Sequence, residues 1–146
     1  MTDIVGIFRT HCTTLGWEFS YGNKSNLNLL KSDKAADKIY FLLDPVARTG
    51  EGSEYGSDGE TTFNTEFLLV KKSNFDNVYD NQKGVDKADG KYEKNIKSMF
   101  EDEFFKFKKL IECSDYQTVN WKVIDAVNAL DANTDGVLVT YNLKIL

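Results

Sequence analysis

Apolar residues recur at helical spacing in two stretches of the chain. The first runs from Thr2 to Leu15, and its spacing is typical of one face of an α-helix. We expect Thr2 to cap this helix, because its hydroxyl can accept a hydrogen bond from a free backbone N–H. Gly16 can adopt the left-handed conformation that ends it. The second stretch, from Lys91 to about Cys113, predicts a long amphipathic helix whose apolar stripe is Tyr92, Ile96, Met99, Phe100, Phe104, Phe107 and Ile111.

Strict alternation of apolar and polar residues predicts strands between and after these helices. Residues 17–21 alternate around Trp17, Phe19 and Tyr21, whereas residues 39–43 form a compact apolar run that Pro45 ends. Residues 62–72 alternate again, and we expect them to form a long hairpin with residues 39–43.

The last part of the sequence predicts a second hairpin. Its first strand begins with the alternating Val119, Trp121 and Val123, and apolar residues continue to Leu130. Residues 133–136 supply the turn, because an Asp-Gly pair favours tight turns. The second strand has apolar residues at every other position: Val137, Val139, Tyr141, Leu143 and Ile145.

The segment from Arg48 to Thr62 is rich in glycine and acidic residues and has no aliphatic side chain. Such a segment cannot offset its ordering entropy by burial, so we predict a mobile hairpin loop over residues 48–62. Long hairpin loops are often functional. We therefore expect this one to become ordered against a neighbouring subunit, with interface residues Arg48, Glu51, Glu54, Tyr55, Asp58 and Glu60.

The order of helix, strands, helix and strands predicts an α+β fold with a mostly antiparallel sheet. The sheet would carry the long hairpin and pack against the N-terminal helix and the long amphipathic helix. The 146 residues, of which 41% are hydrophobic and 13% aromatic, suffice for a single domain over residues 1–146.

Charge and cysteine usage limit the classes of function. The net charge of −5 argues against binding to nucleic acid or to anionic lipid, since both require a basic surface. The N-terminus has neither the positive charge nor the apolar length of a signal peptide. With only Cys12 and Cys113, we expect reduced thiols in a cytoplasm, and we expect protein partners and no membrane.

One stretch resembles a metal site. Asp131, Asn133, Asp135 and Gly136 match the first half of a calcium-binding loop. Asn142 stands where the loop needs a glutamate, and the following residues alternate as a strand. A hairpin turn therefore fits better than a calcium site. We expect no metal and no cofactor. The acidic residues of the glycine-rich segment 48–62 are also unsuited to general acid–base catalysis, because a glycine-rich loop cannot hold its carboxylates rigidly enough.

No catalytic motif is present in the sequence. His11 is the single histidine, and its neighbour Cys12 would point about 100° away on a helix. A dyad of Cys113 with His11 across space is an alternative, but both cysteines also stand at positions suited to a core. We therefore predict that the chain is not an enzyme.

The order of elements resembles that of tail-terminator and tail-completion proteins, small head–tail connector subunits of tailed phages. The closing segment is most similar to that group: Trp121-Lys122-Val123, Asp135-Gly136-Val137 and Tyr141-Asn142-Leu143. The resemblance implies a structural virion protein that forms a ring of identical subunits between capsid portal and tail. Connector, portal or tail proteins would be its neighbours, DNA would only pass through the lumen, and the host cytoplasm would be the place of assembly.

Two other functions remain open. The first is a small monomeric or dimeric protein-binding module or adaptor, and the second is an enzyme without a visible motif. Phe105 lies off the apolar stripe of the long helix. It either packs in the core or, if exposed, anchors a partner protein, and we count it among the interface residues.

Overall fold

The computed structural model describes residues 3–22, 38–50, 61–72, 92–129 and 134–145. The described elements comprise one N-terminal helix, six strands and a second helical region between the fourth and fifth strands. They are α1 (Ile4–Leu15), β1 (Glu18–Tyr21), β2 (Ile39–Leu43), β3 (Ala47–Gly50), β4 (Thr61–Lys72), α2 (Phe105–Glu112), β5 (Tyr116–Ala129) and β6 (Thr134–Ile145). The predicted α+β class with a mostly antiparallel sheet is confirmed.

Helix α1 begins one residue later than the sequence suggested. Asp3 is its N-cap, and the Asp3 carboxylate accepts a hydrogen bond from the Gly6 N–H at 3.0 Å. The predicted cap Thr2 lies outside the described residues. The carboxylate both satisfies a free N–H and places negative charge at the positive end of the helix dipole. Gly16 ends the helix in the left-handed conformation with φ 78°, as predicted.

The six strands form one sheet in the order β1-β2-β4-β6-β5, with β3 also paired to β4. Strand β4 is central, because it pairs antiparallel with β2, β3 and β6. Strand β1 pairs with β2 in parallel, which the sequence did not indicate. Among the described strands, β5 pairs with β6 alone, so it forms one edge of the sheet.

The main core lies between one face of the sheet and the helices, and aromatic rings dominate it. Phe41 and Phe67 stack at 4.2 Å between ring centroids, on β2 and β4. Phe8 of α1 meets Phe107 of α2 edge to face at 5.1 Å. Such aromatic contacts bury large apolar areas and fix the helices on the sheet. The opposite face has a smaller buried cluster of Tyr40, Leu42, Leu68 and Val70.

The long helix predicted from Lys91 to Cys113 is not a continuous α-helix. Two π-helical segments, Tyr92–Lys97 and Met99–Phe104, precede α2. The wider π turn adds a residue per turn. Residues five apart, such as the buried Met99 and Phe104, then reach the same side, which an apolar stripe read at the α-helical period cannot anticipate.

Strands extend into two segments that the sequence predicted as loops or turns. Arg48 and Gly50 lie in β3, opposite Phe63 and Thr61 of β4, so the segment predicted as a mobile loop over residues 48–62 begins and ends in paired strands. The turn predicted at residues 133–136 is also wrong for residues 134–136, which belong to β6 and pair with β4. In both places strand pairing outweighs the local preference of glycine and aspartate for turns.

Candidate subunit interface

Strand β5 presents an unusually apolar edge to solvent. Exposed fractions of 49%, 38%, 48% and 51% are found for Val119, Trp121, Ile124 and Val127. Edge strands of soluble proteins usually carry charges or prolines that prevent pairing with another chain. The only charged side chains on β5 are those of Lys122 and Asp125. A long apolar edge of this kind is typical of a surface that another protein covers.

An aromatic patch adjoins this edge on the helical side of the sheet. Phe105, at the start of α2, is 38% exposed, and its ring lies 5.8 Å from that of Trp121 on β5. Phe100 lies 5.3 Å from Phe105 and 5.9 Å from Trp121. We call Phe100, Phe105 and Trp121 the aromatic patch. The prediction that Phe105 is a partner anchor stays a prediction, but the side chain is exposed as that role requires.

The π-helical segment explains why Phe105 reaches the patch. Phe100 and Phe105 are five residues apart, which places them on the same side where the turn is wide. Phe104 packs inward between them and is fully buried. Its ring lies 5.5 Å from Trp121 and 5.8 Å from Tyr141. The exposed rings of Phe105 and Trp121 therefore rest on a packed layer.

A chain of hydrogen bonds ties α2 to the β5–β6 hairpin beside the patch. The Tyr141 hydroxyl lies 2.6 Å from the Thr118 hydroxyl, which bonds to the Glu112 carboxylate at 2.9 Å. Glu112 also accepts from the Lys108 ammonium at 2.5 Å, and this bond lowers the pKa of Glu112. Burial raises the pKa of Tyr141 to about 12. Tyr141 therefore stays neutral and can donate to Thr118.

The other predicted interface residues do not lie on this side of the sheet. Arg48 is exposed on β3, and its guanidinium reaches the Val46 carbonyl at 3.4 Å. Strand β3 pairs with β4, whereas β5 lies on the other side of β4, beyond β6. Arg48 therefore lies toward one edge of the sheet, and Phe105 lies near the opposite edge. Glu51, Glu54, Tyr55, Asp58 and Glu60 lie outside the described residues.

The sequence identifies Trp121 as a strand residue and as part of the segment that carries the phage-protein resemblance, but it does not place Trp121, Ile124 or Val127 at an interface. Periodicity shows which residues share a face, but not which strand lies at the edge of a sheet. One signal was present. Apolar residues stand next to each other at Val123–Ile124 and Ala126–Val127, and this departure from alternation indicates a strand with apolar side chains on both faces.

Cys12 does not form an activated pair with its neighbour His11. Cys12 is fully buried in α1, and burial raises its pKa to about 12, so its thiolate is scarce at neutral pH. Burial also lowers the pKa of His11, whose ring packs edge to face against Phe107 at 6.3 Å. Cys113 follows α2 and is exposed. These positions fit packing roles for His11 and Cys12.

Residues 3–22, 38–50, 61–72, 92–129 and 134–145 include no group of three or more His, Cys, Asp or Glu side chains that could hold a metal ion. Asp135, from the calcium-loop-like stretch, is buried in β6, and the Asn95 amide donates to it at 3.5 Å. In that same described part, no helix is long and apolar enough to cross a membrane. No protein-family model, curated protein or solved structure matches the chain.

Proposed function

We propose that this chain is a non-catalytic structural subunit that works by assembling with other protein subunits. Following the sequence resemblance, we further propose that it forms a ring at the head–tail connector or tail terminus of a phage virion. The observation that carries the first statement is the β5 edge strand, on which Val119, Trp121, Ile124 and Val127 are all exposed. Burying these side chains against a partner is favourable by about 25 cal/mol per Å² of apolar surface.

The arrangement of the two predicted contact regions supports a ring. Head-to-tail rings need two different surfaces on each subunit, placed so that one surface meets the other on the next copy. Arg48 on β3 and the aromatic patch at β5 lie toward opposite edges of the sheet. The net charge of −5 also suits a ring whose lumen must let DNA slide without binding it.

The first test is molar mass by light scattering across a concentration series, for the full chain and for a chain lacking residues 51–60. In the presence of purified portal or tail proteins, we expect the full chain to form a closed multimer and the shortened chain to form none. Circular dichroism would establish that the shortened chain is still folded. A multimer whose mass is unchanged by the deletion would contradict a ring contact through that segment.

The second candidate is a monomeric or dimeric binding module, and the β5 edge also favours it. An exposed edge strand can accept an extended segment of another protein as an additional strand. The same mass measurement separates the two functions. A chain that remains at the monomer mass at every concentration, alone and with purified portal or tail proteins, would contradict the ring and leave the binding module.

A further inference from the structure

The described residues also suggest what covers the β5 edge in the free protein. We propose that β5 of one copy pairs antiparallel with β5 of a second copy across a two-fold axis near Val123, which gives a homodimer with one continuous sheet. This inference rests on the proposed assembly function, because both take β5 as a contact surface. It goes further by naming the occupant, the register and a state that precedes ring formation.

The lengths of the free edges favour a second β5 as the partner. Strand β5 has 14 residues, whereas β1 and β3, which lie on the other side of β4, have 4 residues each. The residues of β3 are all exposed and none of them is a large apolar residue. Among the described strands, only another β5 can match both the length and the apolar character of this edge.

Charge points to the same partner. The protein has a net charge of −5, so two copies repel over most of their surface. Strand β5 contains one Lys and one Asp and is therefore neutral. A contact between two β5 strands therefore adds no net like charge to the interface.

The irregularities of β5 locate the two-fold axis. The pairing of β5 with β6 shifts register between Thr118 and Asn120 and again between Ala126 and Ala129. The regular part of β5 is thus Asn120–Ala126, and its centre is Val123. In an antiparallel pair centred there, Asn120 lies opposite Ala126 of the other copy, and Val123 lies opposite itself.

This register also avoids placing like charges directly opposite each other. An axis at Lys122 or at Asp125 would place two lysines or two aspartates directly opposite each other, which is destabilising. With the axis at Val123, Lys122 lies opposite Ile124, and Asp125 lies opposite Trp121. The Trp121 rings of both copies, each next to its own Phe105, would then flank the axis on one face of the sheet.

A two-fold contact uses the same surface on both copies and closes with two of them, so it cannot build a ring by itself. The dimer therefore occupies the edge that a head-to-tail contact would use. We infer that it holds free subunits out of a ring until a neighbouring protein displaces one copy. A single pair of strands buries less than a standard interface, so we expect a dissociation constant on the order of micromolar or weaker.

Cysteine cross-linking tests the register. In a chain with Cys113→Ser, the substitution Val123→Cys should give a disulfide-linked dimer on mild oxidation, because paired strand residues lie within about 5.5 Å. The control is Thr14→Cys in the same background, since Thr14 is exposed on α1, and it should remain unlinked. Failure of Val123→Cys to cross-link faster than this control would overturn the proposed pairing.

Light scattering at increasing concentration provides the second readout. We expect the free chain to approach twice 16.6 kDa, and Ile124→Lys to weaken dimerisation at least tenfold while Thr14→Lys leaves it unchanged. A closed multimer without cross-linking at Val123 would overturn the dimer and leave the ring proposal standing. A dimer that cross-links at Val123 but never joins a ring with portal or tail proteins would support the dimer and contradict the ring. A monomer up to about millimolar concentration would overturn the dimer.

Discussion

Replacing Gly136 with alanine should destabilise the sheet through a backbone clash. A Cβ atom at this position would lie 2.0 Å from the Leu69 carbonyl oxygen and 2.8 Å from the Val70 Cα. Non-bonded carbon and oxygen atoms in sheets approach to about 3.3 Å. Strands β4 and β6 must therefore separate locally by about 1.3 Å, at the Val70–Gly136 pair of the central ladder.

The magnitude follows from two opposing effects. Forcing an extra methyl group into a packed site costs about 1–3 kcal/mol, and here the upper end applies because the obstructing atoms are backbone. Alanine also restricts the unfolded chain, which returns about 0.4–1 kcal/mol. We expect Gly136→Ala to lower the free energy of unfolding by about 2 kcal/mol, and Tm by roughly 6–8 °C for a chain of this size.

Urea unfolding followed by circular dichroism would measure this loss, with Gly16→Ala as the matched control. At Gly16 an added Cβ meets nothing within 4 Å, but φ is 78°, so the control reports only the left-handed backbone, about 1 kcal/mol. Adding Val70→Ala to Gly136→Ala should not restore stability, because that change removes no obstructing backbone atom. A loss below about 1 kcal/mol for Gly136→Ala, or rescue by Val70→Ala, would refute the reasoning.

Three further predictions concern the helices. A thiol reagent should modify Cys113 rapidly and Cys12 only on unfolding, since burial raises the pKa of Cys12 to about 12; fast labelling that survives Cys113→Ser would contradict this. Burial lowers the pKa of His11 below 6.5 in the folded protein. As the pH falls, His11 therefore binds its proton at a higher pH in the unfolded chain than in the folded one. Stability should thus decline as the pH falls below about 6.5, and His11→Gln should flatten that part of a urea-unfolding series; an unchanged slope would refute it. Phe104→Ala should cost about 3–5 kcal/mol, whereas Phe105→Ala should cost under about 1 kcal/mol and weaken assembly measured by light scattering; equal stability losses would show that Phe105 is a core residue.

The sequence predicted best those elements whose apolar residues repeat with one period. The alternation in β6 anticipated that Val137, Val139, Tyr141 and Leu143 would be buried together. Prediction from the sequence failed where pairing with a distant strand decides the structure. Asp135 and Gly136 favour a turn locally, yet they extend β6, because β4 offers hydrogen-bond partners along its whole length.

The candidate interface was only partly predictable for a similar reason. Its departure from the helical stripe distinguishes Phe105 in the sequence, and its side chain is exposed. Ile124 and Val127 resemble core residues in sequence, and only the order of strands shows that β5 lies at an edge. The parallel pairing of β1 with β2 is likewise a property of tertiary packing, which periodicity within one strand does not record.

The position of β6 has a consequence for how the protein folds during synthesis. Strand β6 lies between β4 and β5 in the sheet, although it follows both in the chain. Until residues 134–145 have left the ribosome, β4 and β5 lack the strand that joins them, and closing the pair Thr62–Lys144 requires a long loop. Non-local pairing of this kind is slow. The nascent chain therefore exposes its apolar strand edges for a longer time than a chain of local hairpins would. Chaperones that bind such edges should engage the chain before it leaves the ribosome.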